Sequence, residues 1–169
     1  GLASEALAAL APGDVVQASG PFGRFVLRED PPCRYVLVGT GTGITPYRAM
    51  LPLLRERVAA GFRVHILLGV WNRQELLFGD DFRAFADAHA AVKFGACYSR
   101  EFPEHPEGWE QSGYVQTRFS QLGLDPEKDV LYLCGNPGMI DESVEILKAM
   151  GFNLKQLRRE KYLSARPAG

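Results

Sequence analysis

From Arg34 onward, continuous apolar runs alternate with segments whose apolar residues recur at helical spacing, and this alternation constrains the fold more than any other feature. Tyr35-Val36-Leu37-Val38 has no polar side, as a strand covered on both faces requires. Tyr47, Met50, Leu51, Leu54 and Val58 then repeat with helical period. Thr45 is the expected N-cap of that helix, Pro46 suits its first turn and Gly61 ends it. Further strands are expected at 64–68, 92–98 and 130–133. Helices are expected at 80–90, with Phe82, Phe85 and Ala86 on one side, and more briefly at 115–122. Ile140, Val144, Leu147 and Met150 stripe a last helix ending at Gly151. The pattern predicts an α/β fold, a doubly wound parallel sheet of about five strands with helices on both faces.

Residues 1–30 follow another rule. An Ala/Leu-rich start meets the turn signal Pro12-Gly13-Asp14, and two short strands are expected at 15–18 and 24–27 around Gly20-Pro21-Phe22-Gly23. Two such strands cannot bury a face alone, so 1–30 reads as the end of another β domain. Residues 29–33, with two prolines, serve as linker; 34–163 form the main domain and 164–169 a tail.

Charge nearly cancels at −1, which argues against a nucleic-acid binder or a polybasic membrane binder. The 46% hydrophobic fraction excludes wholesale disorder. No apolar run approaches the roughly 18 residues of a membrane span. Cys33, Cys97 and Cys134 lie far apart without metal-ligand spacing, which argues against a zinc cage or disulfide framework and suits a cytoplasmic location.

Ligands of a doubly wound sheet bind outside the carboxyl ends of its strands. Those ends carry Gly39-Thr40-Gly41-Thr42-Gly43, Gly69-Val70-Trp71-Asn72-Arg73, Ser99-Arg100 and Cys134-Gly135-Asn136-Pro137-Gly138. The first run suits a phosphate cradle: glycines let backbone amides approach, and a helix begins just behind them. It lacks Gly-Lys-Ser/Thr, so it is no triphosphate loop, and no acid ends the second strand to hold a ribose. A tight strand-to-helix turn would use the same residues. Ser99 and Arg100 offer a hydroxyl and a guanidinium for a further phosphate, and Tyr114 offers a stacking ring; a solvated loop is the plain alternative. Residues 101–113 read as a polar surface loop. Cys134 reads more simply as a small buried hydrophobe, and Glu75 and Asp80–Asp81 as exposed helix-start acids. His65, His89 and His105 have no relay partner in sequence.

At "VGTGTGITPYR" (38–48) the chain resembles the pyridine-nucleotide-binding half of the ferredoxin–NADP reductase superfamily. The likeness continues through "LLGVWNRQELLF" (67–78), "YSRE" (98–101), "GYVQTR" (113–118), "YLCGNPGMID" (132–141) and "REKY" (159–162), in the right order. "GPFGRFVL" resembles the last strands of that family's FAD-binding barrel.

The resemblance implies roles by position. Gly41, Thr42 and Gly43, with Thr45 and Pro46 behind them, would carry the pyrophosphate, Thr42 lying near nicotinamide and flavin. Cys134 and Gly135 would flank the nicotinamide, with Pro137, Gly138 and Met139 continuing that wall. Ser99 and Arg100 resemble the pair that selects the 2′-phosphate of NADP, and Tyr114 the adenine-stacking tyrosine. Ser112 stands where plastid members carry lysine, which keeps NAD open as the alternative. Glu160 and Tyr162 match an acid and a terminal aromatic near the flavin, although here Ser164-Ala165-Arg166-Pro167 follow. Cys134, Thr42 and Glu160 would then be the catalytic set. The expected function is the NADP(H)-binding module of a flavin-dependent reductase. It would need an upstream FAD domain for hydride transfer and pass electrons to ferredoxin or flavodoxin. The rivals are the NADH-dependent reductase component of an oxygenase and a flavin-free nucleotide-binding module.

Overall fold

The computed structural model describes residues 2–20 and 22–162; Pro21 of the expected turn, Leu163 and the tail 164–169 lie outside the described residues. Helix α1 (Leu2–Ala8) precedes a long irregular stretch. The alternating part then runs β1 (Arg34–Thr40), α2 (Thr45–Ala59), β2 (Arg63–Val70), α3 (Gly79–Asp87), β3 (Val92–Tyr98), β4 (Glu110–Ser112), β5 (Asp129–Gly135), α4 (Pro137–Ala149) and β6 (Leu157–Lys161).

All strands are parallel, in the order β4-β3-β2-β1-β5-β6. The chain therefore builds outward from β1 in one direction, then returns to build outward in the other. The break between β1 and β5 is the topological switch point, where the loops above the strands separate and leave a crevice.

Successive side chains of a strand point to opposite faces, and the central strands divide the core accordingly. Tyr35, Leu37, Ile66, Leu68 and Tyr132 pack under α2 and α3 with Tyr47, Leu54, Phe82 and Phe85. Val36, Val38, Leu67, Leu131 and Leu133 pack under α4 and the 3-10 helix Val115–Gln121 with Ile140, Val144, Leu147 and Phe119. Each face is dry, which explains why these strands read as unbroken apolar runs.

Four expectations need correction. Residues 15–18 and 24–27 form no strand, because neither finds a neighbouring strand among the described residues. The second stretch is held by side chains instead: Leu27 is buried, Phe25 packs on Tyr47 and Tyr132, and the Arg28 amide donates to the Tyr132 hydroxyl at 2.9 Å. Thr45 is not an N-cap. The 3-10 turn Gly41–Ile44 runs straight into α2, so Thr45 is already helical (φ −57°, ψ −43°) and no side chain caps the junction. The segment 115–122 is a 3-10 helix rather than α. The expected surface loop 101–113 ends in β4, and with β6 from the "REKY" region the parallel sheet has six strands, in keeping with the expected α/β fold. Among the described residues, no helix is long and apolar enough to cross a membrane.

Candidate functional site

The carboxyl ends of β1 and β5 meet through backbone, and glycine makes the meeting possible. A Cβ on Gly43 would lie 2.4 Å from the Cys134 carbonyl oxygen, and one on Gly135 would lie 2.5 Å from the Thr40 carbonyl oxygen. Gly135 also has φ +120°, which an L side chain disfavours. The Asn136 amide donates to Thr40 Oγ1 at 2.9 Å, closing the seam. Asn136 Oδ1 then accepts from the Gly138 and Met139 amides at 2.8 and 3.1 Å, starting α4. Gly41 differs: its φ is +54°, and a Cβ there would meet nothing within 4 Å. The loop is pinned at Gly43 and open at Gly41.

Across the crevice, β2 and β3 exchange main-chain bonds beyond their last paired residues. The Ser99 amide donates to Val70 O at 3.0 Å, and the Arg100 and Glu101 amides both donate to Trp71 O at 3.1 and 3.0 Å. Below them lies a buried carboxylate. Glu110 accepts from Arg73 Nε (2.7 Å), the Tyr98 hydroxyl (2.6 Å) and the Glu107 amide (2.9 Å), and its second oxygen is also paired with the Arg73 guanidinium. The Arg73 hydrogen bonds, against the opposing cost of burial, bring the Glu110 carboxyl down to about 2. Glu107 in turn pairs with Arg83 and accepts from Trp109 Nε1.

Between these two rims is an open cleft of about 720 Å³, within the usual range for small-molecule and cofactor sites. Gly41, Thr42, Ser99, Tyr114, Gly135, Gly138, Met139 and Tyr162 line it, as do residues from the ends of β1, β2, β3 and β5. The convergence of four strand ends on one site is thus present. Seven other sequence candidates stand outside the lining. Gly43 is buried against the Cys134 backbone; Thr45 and Pro46 lie on α2, and Pro137 opens α4. Arg100 lies flat on Trp71, its Cζ 3.8 Å from the ring centroid. Cys134 is fully buried in the core. Glu160, on β6, pairs in register with Cys134 and lies near Tyr162; burial first, and then its charge among lesser causes, raises the pKa values of both.

Among the lining residues, Glu75, Glu142 and Gln116 were given no binding role by the sequence reasoning, and Trp71 was placed only within a strand-end run. Glu75 ends the 3-10 turn Arg73–Glu75, whose N-cap Asn72 accepts from the Glu75 amide; that turn carries the acid back to the end of β2. The spacing Asn72-x-x-Glu75 was the available signal. Glu142 follows Met139 by one turn of α4 and accepts from Gln116 Nε2 at 2.8 Å. Gln116 is buried, and its Oε1 has no partner among the described residues. Trp71 is half exposed at the mouth.

These details decide what fits. The open space over Gly41, the amides that begin the 3-10 turn and α2, and the orphan acceptor on Gln116 suit a ligand with an anionic diphosphate and hydrogen-bond donors. Burial pushes the Cys134 thiol at the β5 end and the Cys97 thiol on β3 up to about 11, and the Tyr162 phenol up to about 12. The charged residues of the lining are Glu75 and Glu142; the lining has no Lys, Arg or His.

The family model of the oxidoreductase NAD-binding domain matches residues 37–145. The chain belongs to that family, as the nucleotide-binding half of the ferredoxin–NADP reductase superfamily. It is 31% identical to the toluate 1,2-dioxygenase electron transfer component of Pseudomonas putida, over 98% of this chain and 48% of that protein. It is also 31% identical to ferredoxin–NADP reductase B of Sorangium cellulosum, over 96% of this chain and 68% of that one. Among solved structures, the cytochrome P450 reductase of Amycolatopsis superposes with a TM-score of 0.76 at 28% identity, over 90% of this chain and 45% of that one. The chain spans about half the length of several relatives it matches.

Proposed function

We propose that this oxidoreductase domain is the nicotinamide-nucleotide module of a flavin-dependent reductase, with NADH as its dinucleotide and an oxygenase-type electron chain downstream. The carrying observation is the cleft itself: open over Gly41, crossed by four strand ends, and closed at β5 by Gly135 and Met139. Reduced nicotinamide, when bound, supplies a hydride at C4, which flavin accepts at N5. The chain's contribution is placement. Gly41 and Thr42 with the amides behind them hold the diphosphate, Tyr114 stacks on adenine, and Gly135, Met139 and Tyr162 enclose the nicotinamide and exclude water. Cys134 and Glu160 act from behind Tyr162, setting where its ring stands. The two lining carboxylates support NADH over NADP: Glu75 accepts from ribose hydroxyls and repels an added phosphate. The Pseudomonas relative's description as a dioxygenase electron transfer component supports the same reading.

A second reading, NADP with ferredoxin or flavodoxin as partner, is favoured by Ser99 and Arg100 at the end of β3 and by the Sorangium relative. Calorimetric titration of the chain with NAD⁺ and NADP⁺ separates the two. Tighter NAD⁺ binding supports the first, and tighter NADP⁺ binding the second. No binding of either overturns both. Flavin reduction in a chain carrying an FAD domain, and none without it, tests the division of labour.

A further inference from the structure

Arg100 lies two residues beyond β3, at the end of the sheet where the cleft opens and a guanidinium could grip a phosphate, yet it is absent from the cleft lining. It rests face-on against Trp71, Cζ 3.8 Å from the ring centroid, well inside the distance at which a cation is held by an indole face. The stack is enforced by main chain. The Arg100 and Glu101 amides both donate to Trp71 O, so the two residues leave their strands side by side. Arg100 is exposed and pairs with no carboxylate among the described residues, so the indole is its holder. Trp71 lines the cleft, and Arg100 is not among the lining residues.

We propose that Trp71 sets dinucleotide specificity by withholding Arg100 from the cleft. While the guanidinium lies on the indole, a 2′-phosphate enters a mouth that offers it the Glu75 carboxylate and no cation. A 2′-hydroxyl suffers no such penalty. The inference rests on the nicotinamide-nucleotide reading and deepens it by naming the residue that excludes the extra phosphate.

The test is the affinity of the chain for NAD⁺ and NADP⁺ by titration calorimetry, with four variants. An exposed stack of this kind corresponds to about a two- to five-fold equilibrium, so Trp71→Ala is expected to tighten NADP⁺ by about that factor while NAD⁺ changes less. Trp71→Phe keeps a weaker ring and falls between. Arg100→Ala alone leaves NADP⁺ affinity within about two-fold, because the withheld group is not in use. In Trp71→Ala/Arg100→Ala the gain disappears. The proposal is overturned if Arg100→Ala weakens NADP⁺ ten-fold or more, if Trp71→Ala weakens both nucleotides alike, or if the gain survives in the double variant. Failure of the unmodified chain to bind either nucleotide overturns the underlying reading and this inference with it. NAD⁺ binding with an unmoved ratio overturns the inference alone.

Discussion

The two rims of the cleft are built by different means. Over β1 and β5, backbone touches backbone: Gly43 lies on Cys134, Gly135 lies against Thr40, and one amide–hydroxyl bond closes the seam. Over β3 and β4, long side chains do the work: Arg73 and Tyr98 to Glu110, Arg83 to Glu107 and Trp109, Arg100 to Trp71. A backbone seam fixes position to a few tenths of an ångström and tolerates almost no substitution. A side-chain lattice is exchangeable residue by residue. The rim assigned to the common part of the ligand is therefore the rigid one, and the rim facing the variable part is the adjustable one.

The sharpest way to break this contrast is Gly43→Ala. Its Cβ would lie 2.4 Å from Cys134 O and 2.6 Å from both Cys134 C and Gly135 Cα, all main-chain atoms of the central sheet. Neither partner can step aside without moving β1 against β5. The expected loss is about 3 kcal/mol or more, read as a fall in the urea midpoint. A midpoint within experimental scatter of the unmodified chain would show that the seam yields, and the distinction between the rims would lose its basis.

On the other rim, Glu110→Gln leaves Arg73 facing an amide and is expected to cost about 2 kcal/mol, less than a fully buried pair because the Arg73 side chain is 45% exposed. The same carboxylate gives a pH signature. Its folded pKa, about 2, lies below the ordinary carboxylate value of 4.5, so its stabilisation is complete above about pH 4.5 and is lost as pH falls through 2. Glu110→Gln should flatten that limb of a pH–stability curve.

A separate limb belongs to His65 at the opposite end of β2. Burial first, then the Arg34 and Lys93 charges, lower it from 6.5 to about 4. The folded protein thus prefers neutral His65, and stability falls as pH drops from 6.5 towards 4 while the unfolded chain takes up its proton. About 1 kcal/mol is expected from this partly buried ring, and His65→Gln should remove it while leaving the lower Glu110 limb in place. Merged limbs in the single variants would mean the two groups are coupled.

The same contrast explains what was legible in the chain. Tyr35-Val36-Leu37-Val38 and the stripe from Tyr47 to Val58 announced the sheet, because burial on both faces removes every polar residue. The glycines at 39–43 marked a place where backbone comes close and read as a phosphate cradle or tight turn; that Gly43 meets Cys134 and Gly135 meets Thr40 was visible only in the fold. Glu110 gave no such signal. Its meaning depends on Arg73, 37 residues away, and on Tyr98, so 101–113 looked like solvated loop although it ends in a strand. Residues 24–27 misled in the other direction: an apolar alternation that reads as a strand serves here to place Phe25 and Leu27 on the core. Cys134 sits at the expected strand end, but its fully buried side chain belongs to the hydrophobic core, as its residue type alone suggested.

The smallest expected change in stability sharpens the comparison most. Gly41 shares its loop with Gly43, yet a Cβ there meets no atom within 4 Å. Gly41→Ala carries only the left-handed backbone penalty at φ +54°, about 1 kcal/mol, so the variant should fold with a slightly lower melting temperature. Its methyl, however, occupies the open space over the first amides of the 3-10 turn, where the diphosphate is proposed to lie. Binding of NAD⁺ should therefore fall ten-fold or more in a protein that has lost little stability. Gly43→Ala should lose stability first, and binding only as a consequence. If Gly41→Ala bound NAD⁺ as well as the unmodified chain, the open half of this loop would not be the cradle, and the dinucleotide would have to enter the cleft by another wall.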